Sequence, residues 1–346
     1  MAHIEKIRVQ HIRTHSLYET SISSGVTAIT GANGAGKTSL LEAVYIALQG
    51  ASFKGSDGDI LQRDHSWYRI DIRFDDTSLR TVKFDATRTT GRKQFIVHEK
   101  VNYRPLPRYK YPVVLFEPDD LRLLAGSPAR RRQFIDRFIS QLDPRYGIAL
   151  RRYERALKQR NALLKQPAVT SDDLFAWNVT LSEHGAYIIE KRLYFIQTLN
   201  QKLNDTYRII SRSHDVVSID YSQEAHNNLQ QKLLTSLHGH TDRDKLLGYT
   251  TVGPHRDDVL FAFNHTPAMA VASRGEVRSI ILALKFLEAH ILEDITGEKP
   301  IILLDDVFSE LDETRQKNLV TEFIGHQIII TSVSAIPIKS SKIVKL

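Results

Sequence analysis

The residues best suited to chemistry lie in one glycine-rich segment near the start of the chain. The segment runs Gly31, Ala32, Asn33, Gly34, Ala35, Gly36, Lys37, Thr38 and Ser39, between an apolar run at 26–30 and a helical pattern at 39–48. Glycines let backbone N–H groups approach phosphate oxygens, and the following helix directs the positive end of its dipole at them. Lys37 would reach the β- and γ-phosphates, and the Thr38 hydroxyl would ligate Mg²⁺. The spacing predicts a nucleoside triphosphate site, whereas the alternative, a plain glycine turn, needs none of the fixed residues.

A second candidate group is a pair of carboxylates at the end of an apolar run. Residues 300–304 are apolar, and Asp305 and Asp306 follow them. In open parallel sheets, ligands bind at the carboxyl ends of the strands. We expect Asp305 to hold Mg²⁺ through water and Asp306 to orient or deprotonate the attacking water, so that Lys37 and Asp306 are the predicted catalytic residues. The alternative is that the two aspartates begin a loop or cap a helix.

A third group, Ser273, Gly275 and Glu276, stands at the start of a helix predicted over 275–292. A serine and a glycine at a helix N-terminus form another anion site. One phosphate loop needs only one such site, so the second predicts a nucleotide shared between two copies of the chain. An ordinary helix cap is the alternative. The glycine-rich loop upstream and the aspartate pair downstream favour the shared nucleotide and an ATP-dependent homodimer.

Composition limits the classes of protein that the chain can form. The 346 residues are 42% hydrophobic and 25% charged, which are globular values, and the net charge is +7. Cysteine is absent, which excludes a disulfide framework and cysteine-based metal or redox sites. No apolar run approaches membrane-spanning length and the start is not a signal peptide, so we expect a cytoplasmic protein without a membrane partner. The positive charge favours a polyanionic partner.

Periodicity divides the chain into an α/β part and a helical part. The alternating segment 4–12 predicts an opening strand, and segments 69–74, 79–86 and 93–98 predict an antiparallel meander. Apolar runs at 26–30, 111–116, 300–305 and 327–331 predict buried strands. Segments 259–263 and 268–271 predict a hairpin. Helical patterns cover 128–164, 171–211 and 227–237. The sequence therefore predicts an ATPase lobe at 1–120 and 251–346 and an inserted α-helical lobe at 121–250, which is too short for long coiled-coil arms.

The helical part carries the positive charge. Between residues 128 and 165 there are eleven Lys or Arg against three Asp or Glu. Such a cluster suits phosphate contacts that bind DNA without reading its sequence. The candidate DNA-binding residues are Arg130, Arg131, Arg132, Arg137, Arg151, Arg152, Arg155, Lys158 and Arg160. A solvated helix face with intramolecular partners is the alternative for each arginine. His255 has no second histidine at ligand spacing, and we expect for it a structural role or a role in coupling the ATPase head to the helical lobe.

The order of these motifs resembles the P-loop ABC-type ATPase heads of the SMC family, in which Ser273-x-Gly275 is the signature motif and Ser309-x-Leu311-Asp312 the D-loop. Within that group the chain resembles the RecF family. The stretches that carry this likeness are Pro118-Asp119, Leu123-Leu124, Gly126-Ser127-Pro128, Arg131-Arg132-x-Phe134-Ile135-Asp136, residues 251–258, 273–276 and 303–312. The fold implied is a mixed sheet with an antiparallel meander and an inserted helical lobe.

The resemblance also implies a function. It implies an ATP-dependent dimer that binds single-stranded and duplex DNA at gaps or junctions in replication, recombination, repair and the SOS response. RecR and RecO are the implied partners in loading recombinase. Arg13 looks like the nucleotide-contacting arginine of such heads, and Asp312 would contact the nucleotide from the D-loop.

The chain departs from the ABC pattern at several positions. Glu276 replaces a common glutamine, and Asp306 replaces the catalytic glutamate of transporters, which predicts slow hydrolysis. No histidine follows 328–331, so Thr331 or Ser332 would serve instead, and no Q-loop glutamine is identifiable. The alternative functions are a transporter-type or nuclease-complex ABC ATPase subunit.

Overall fold

The structure is a computed structural model and describes residues 3–224, 226–333 and 341–346. Strands form the framework of this part of the chain. In chain order they are β1 (Ile4–Ile12), β2 (His15–Ser21), β3 (Val26–Thr30), β4 (Trp67–Phe74), β5 (Leu79–Asp85), β6 (Lys93–Val97), β7 (Lys100–Asn102), β8 (Val113–Phe116), β9 (Val217–Tyr221), β10 (Val259–Phe263), β11 (Thr266–Pro267), β12 (Ile301–Asp305), β13 (Ile328–Ser332) and β14 (Lys342–Lys345).

The helices lie between these strands. They are α1 (Lys37–Gln49), α2 (Asp57–Ile60), α3 (Pro128–Leu142), α4 (Pro144–Leu163), α5 (Ser171–Ser211), α6 (Leu229–Gly239), α7 (Thr241–Leu247), α8 (Ala268–Val271), α9 (Arg274–Thr296) and α10 (Glu313–Glu322). Short 3₁₀ turns cover Pro107–Tyr109, Pro118–Arg122 and Phe308–Glu310. The elements pack into two compact units, Met1–Leu121 with Glu288–Leu346, and Arg122–Leu287. The lobe boundaries predicted from the sequence stay a prediction.

The first unit contains two sheets of different character. An antiparallel sheet has the order β2-β1-β4-β5-β6-β7, and its strands alternate between buried and exposed residues because one face covers the core. A parallel sheet has the order β14-β3-β13-β12-β8, and β12 and β13 are buried along their whole length. The predicted meander and the predicted buried strands are therefore both present, with β2, β7 and β14 in addition.

The parallel sheet brings three strand ends together. β13 pairs with β3 and with β12, so that Thr331 lies beside both Ile29 and Asp305. The glycine-rich segment leaves the end of β3, and Asp305 ends β12. Residues that are far apart in the sequence thus meet at one sheet edge.

The second unit is mainly helical, with corrections to the sequence prediction. The stretch predicted over 128–164 is two helices because Pro144 occupies the first turn of α4, and Asp143 caps that helix by accepting from the Arg145 amide at 2.9 Å. Segment 268–271 is helix α8 instead of a hairpin strand. Strand β10 pairs with β11 and with β9, which lies inside the range predicted as helical.

A fully buried ion pair lies in the second unit. Nη1 of Arg160 is 2.7 Å from Oδ2 of Asp244 and donates to Oγ1 of Thr250 at 2.8 Å, while Nε donates to Asn178 at 2.7 Å. Buried charges need such partners. The prediction that Arg160 contacts DNA is wrong for this structure, because its side chain has no exposed surface. Arg160 is a structural residue.

This pair gives a stability prediction. Asp244→Ala leaves the Arg160 guanidinium buried without its counterion, so we expect the free energy of unfolding in urea to fall by about 3–5 kcal/mol. The matched control is Asp205→Ala, which removes the exposed partner of Arg208 and is expected to cost less than about 0.5 kcal/mol. Equal losses in the two variants would contradict the role of the buried pair.

Candidate nucleotide-binding site

The glycine-rich segment forms a tight loop between β3 and α1. Gly34 and Gly36 have φ angles of +83° and +94°, in the left-handed region that favours glycine. A Cβ atom at Gly36 would lie 2.3 Å from Nε2 of His15, which also hydrogen bonds with the Gly36 carbonyl at 3.0 Å. Backbone angle and available space both require glycine at position 36.

Lys37 turns back over this loop. Its Nζ donates to the carbonyl oxygens of Gly31 at 2.8 Å and Ala32 at 2.9 Å. A charged acceptor binds an ammonium more strongly than a neutral carbonyl does. The Lys37 ammonium is therefore held where it can transfer to an anion bound by the loop.

Asp305 links the loop to the parallel sheet. Its Oδ1 accepts from Oγ1 of Thr38 at 2.7 Å and from Oγ1 of Thr331 at 3.0 Å, and its side chain is 2% exposed. A carboxylate and a hydroxyl are hard oxygen donors of the kind that Mg²⁺ takes, with water and phosphate oxygens completing its shell. The structure thus brings together the two predicted metal residues, and their chemistry fits Mg²⁺.

Asp306 follows in a strained conformation. Its φ is +53°, its amide donates to Oγ1 of Thr331 at 2.9 Å, and its Oδ1 is buried without a hydrogen-bond partner. Burial raises the pKa of the Asp306 carboxyl; Lys37 opposes this rise and Asp305 adds to it. A buried carboxylate oxygen with spare acceptor capacity is suited to holding a water molecule.

Arg13 lies in the turn between β1 and β2. Its Nη2 is 2.8 Å from Oε2 of Glu42, which is fully buried in α1. Glu42 also accepts a short hydrogen bond from Ser52. Glu42 is not among the predicted site residues, although an acidic residue inside the apolar stretch of α1 needs a partner. The nucleotide-contacting role of Arg13 stays a prediction.

Lys54 is another residue that the sequence analysis missed. It lies between α1 and α2, in a segment with no periodic pattern, and its Nζ is 2.9 Å from Oδ2 of Asp305. Its position in the sequence does not indicate a role at the site, since a lysine in a polar connection is usually solvated. Only the folded chain brings it to the aspartate.

The Ser-x-Gly turn belongs to the second unit. The Ser273 amide donates to Oε2 of Glu276 at 2.6 Å, and the Glu276 amide donates to Oγ of Ser273 at 3.3 Å. This reciprocal pair is a capping box at the start of α9. Asp312 in the first unit likewise caps α10, by accepting from the Arg315 amide at 2.9 Å. Nucleotide contacts by Ser273, Gly275, Glu276 and Asp312 stay predictions.

The predicted DNA-binding residues divide by exposure. Arg131 pairs with Asp258 at 2.7 Å, and Arg132 donates to the Asp257 carbonyl at 2.6 Å. Arg130 and Arg137 are half-buried. The exposed members lie together on α4: Arg151, Arg152, Arg155 and Lys158. Their spacing along one helix places them on adjoining faces toward solvent.

A buried network connects the stretches that carry the family resemblance within the second unit. Arg192 in α5 pairs with Asp136 at 2.8 Å and donates to the Pro254 carbonyl at 2.7 Å. His255 hydrogen bonds with the Tyr153 hydroxyl at 2.7 Å, and burial lowers the pKa of its ring to about 4. The imidazole is therefore neutral near pH 7 and acts in packing.

The chain has the fold of an ABC-type ATPase head of the SMC kind, with the glycine-rich loop at the end of β3 and the aspartate pair at the end of β12. A solved Smc head bound to the C-winged helix domain of ScpA has the same fold, with a TM-score of 0.51 and 14% identity over 96% of this chain and 90% of that chain. In the described ranges no helix is both long and apolar enough to span a bilayer.

Sequence comparison identifies the family. A family model described as an AAA domain matches residues 6–238. The DNA replication and repair protein RecF of Streptococcus pyogenes serotype M49 (strain NZ131) is 34% identical, over 96% of this chain and 92% of that protein, and RecF of Streptococcus uberis (strain ATCC BAA-854 / 0140J) is 32% identical over 96% and 93%. A solved structure of the recombination mediator protein RecF with ATPrS, described in the RecFOR pathway, matches with a TM-score of 0.90 and 29% identity, over 100% of this chain and 96% of that chain. This chain belongs to the RecF family.

The raised pKa of Asp306 gives a prediction about pH and stability. Because the folded-state pKa lies above the unfolded value, the stability linked to the protonated carboxyl is lost as pH rises through the folded pKa. Asp306→Asn cannot ionise, so we expect its Tm at pH 7 to exceed that of wild type by about 1–2 °C, a small shift because the side chain is only partly buried. The difference should vanish in acid, when both forms are neutral. A variant less stable than wild type at pH 7 would contradict the burial of this charge.

Proposed function

We propose that this chain is an ATP-dependent DNA-binding protein of replication and repair. In this proposal it dimerises on ATP, binds DNA at gaps or single/double-strand junctions, and helps load recombinase with RecR and RecO. The names of its relatives and the solved structure of RecF with ATP in the RecFOR pathway support this function. The observation that carries it is the 2.7 Å contact between Thr38 and Asp305, which joins a phosphate loop to an acidic strand end.

ATP would bind along the loop from Gly31 to Ser39. The backbone N–H groups and the start of α1 would hold the phosphates, and Lys37 would leave its two carbonyl partners for the β- and γ-phosphates. Thr38 and Asp305 would hold Mg²⁺, which neutralises phosphate charge when bound. The oxygen chemistry of this pair supports the assignment.

Hydrolysis would be slow and would serve as a switch. Asp306 would orient or deprotonate the attacking water, and its unpartnered Oδ1 supports that role. Its side chain is one methylene shorter than glutamate, which holds the water less well. Thr331 accepts from the Asp306 amide and donates to Asp305, so it would align the two aspartates in the place of a switch histidine.

The exposed basic residues of α4 would contact DNA phosphates. Arg151, Arg152, Arg155 and Lys158 have the exposure that such contacts need, unlike Arg160. Arginine side chains can bind phosphate in a bidentate way, and phosphate contacts give affinity without sequence specificity. This is the property expected of a protein that recognises a DNA structure.

The dimer would form around shared nucleotide. The Ser273–Glu276 turn is exposed at Ser273 and starts a helix of 23 residues, so the positive end of the helix dipole can face the phosphates of a nucleotide held by a second copy. In this geometry ATP contributes contacts to both partners, and its loss would release them.

The exposed basic residues of α4 give a prediction about how DNA binding depends on salt concentration. We expect the triple variant Arg151→Ala, Arg155→Ala, Lys158→Ala to bind a gapped duplex more weakly and to lower the slope of log K against log salt by about 2–3. The control variant Lys232→Ala, Arg208→Ala, Arg243→Ala removes equal charge elsewhere in the same unit. Equal effects of the two variants, measured by fluorescence anisotropy, would rule out a local DNA surface on α4.

The proposed function is tested by measuring whether ATP changes the affinity of the protein for DNA. Anisotropy of a labelled gapped duplex is measured with and without ATP for wild type, Lys37→Met and the control Lys6→Met, which removes a lysine in β1 away from the loop. We expect ATP to tighten DNA binding by wild type and Lys6→Met by about tenfold, and Lys37→Met to show no response. Binding by wild type that is indifferent to ATP would contradict the proposal.

A further inference from the structure

We propose that Lys54 is a positioning residue of the nucleotide site, whose ammonium holds the Asp305 carboxylate and exchanges with Mg²⁺ when the nucleotide binds. The inference deepens the proposed ATP-binding function and rests on it. It assigns a role to the connection between α1 and α2, which the sequence motifs do not include.

Asp305 is a buried carboxylate with three side-chain partners. The carboxylate is 2% exposed, and its two oxygens have different partners. Oδ1 accepts from the Thr38 and Thr331 hydroxyls, whereas Oδ2 lies 2.9 Å from the Lys54 ammonium. Lys54 is therefore the cation that balances this buried charge, since both other partners are neutral.

Electrostatics then favours an exchange. Mg²⁺ held by Thr38 and Asp305 would place two more positive charges near the ammonium, around one buried carboxylate. Like charges at such short range repel, and low local polarity strengthens the repulsion. The ion and the Lys54 ammonium therefore compete for the same negative charge.

The surrounding segment is built to let only the side chain move. Oγ of Ser52 accepts from the amides of Lys54 at 2.9 Å and Gly55 at 3.0 Å, and it donates to Glu42, the buried partner of Arg13. These bonds fix the backbone turn on α1. The Lys54 side chain is 37% exposed, and its flexible four-carbon stem can carry the ammonium into solvent without moving the turn.

The test measures the Mg²⁺ requirement for nucleotide binding. A fluorescent ATP analogue is held at fixed concentration and Mg²⁺ is titrated for wild type, Lys54→Met, Lys54→Arg and the control Lys6→Met. We expect Lys54→Met to lower the half-saturating Mg²⁺ concentration by about tenfold, because the ion no longer displaces a cation. Lys54→Arg and Lys6→Met should stay near wild type.

Two other outcomes for Lys54→Met would overturn the inference. An unchanged midpoint in Lys54→Met means that Lys54 is only a structural counterion. Weaker nucleotide binding at saturating Mg²⁺, with no fall in the midpoint, means that Lys54 contacts the triphosphate. Failure of wild type to bind the analogue would instead overturn the proposed function, so the two failures are distinguishable.

A second measurement covers the case in which Lys54→Met does not fold. Wild-type protein is treated briefly with acetic anhydride, and acetylation of Lys54 is followed by mass spectrometry, with exposed Lys232 as internal reference. We expect Mg²⁺ with the ATP analogue to increase acetylation of Lys54 relative to Lys232. Unchanged or reduced acetylation contradicts the exchange.

Discussion

The burial of one negative charge, the carboxylate of Asp305, constrains how the segments of the first unit are arranged. A buried carboxylate is tolerated only when it is paired and hydrogen bonded. Its partners, Thr38, Lys54 and Thr331, come from the start of α1, the connection after α1 and the end of β13. Satisfying this one group therefore fixes three separate segments around the glycine-rich loop, and the same group is the natural ligand for a divalent cation.

The second unit also buries charged side chains that need partners, here within its own packing. Arg160 pairs with Asp244, and Arg192 pairs with Asp136, inside a mainly helical unit. The Arg192 network uses Asp136 and Pro254, which belong to the stretches that carry the family resemblance. The burial of this network shows that part of a family signature can serve folding, while the exposed cations of α4 remain free to serve binding.

Regular periodicity explains what the sequence predicted well. The antiparallel strands, the buried parallel strands and helix α5 each carry a period that local residues set, and the glycine-rich loop carries its own spacing. The predicted bounds of α5, 171–211, agree with the structure. The nucleotide loop and the strand that ends at Asp305 could be placed because strand, turn and helix signals coincide there.

The remaining features depend on long-range contacts or on local chemistry that periodicity does not show. Lys54 and Asp305 are 251 positions apart, so no local pattern indicates that they pair. The burial of Arg160 depends on Asp244, which lies in another helix. The break before Pro144 had a local signal, since proline favours the first turn of a helix, and it was missed because basic residues continue on both sides.

The central claim is that ATP is both the ligand of the loop and the link between two copies. Light scattering with and without ATP and Mg²⁺, on wild type and Ser273→Arg, tests it most directly. The account predicts that ATP raises the mass of wild type to about twice that of the monomer, while Ser273→Arg binds ATP and stays monomeric. A Ser273→Arg protein that dimerises with ATP as wild type does would contradict the shared nucleotide.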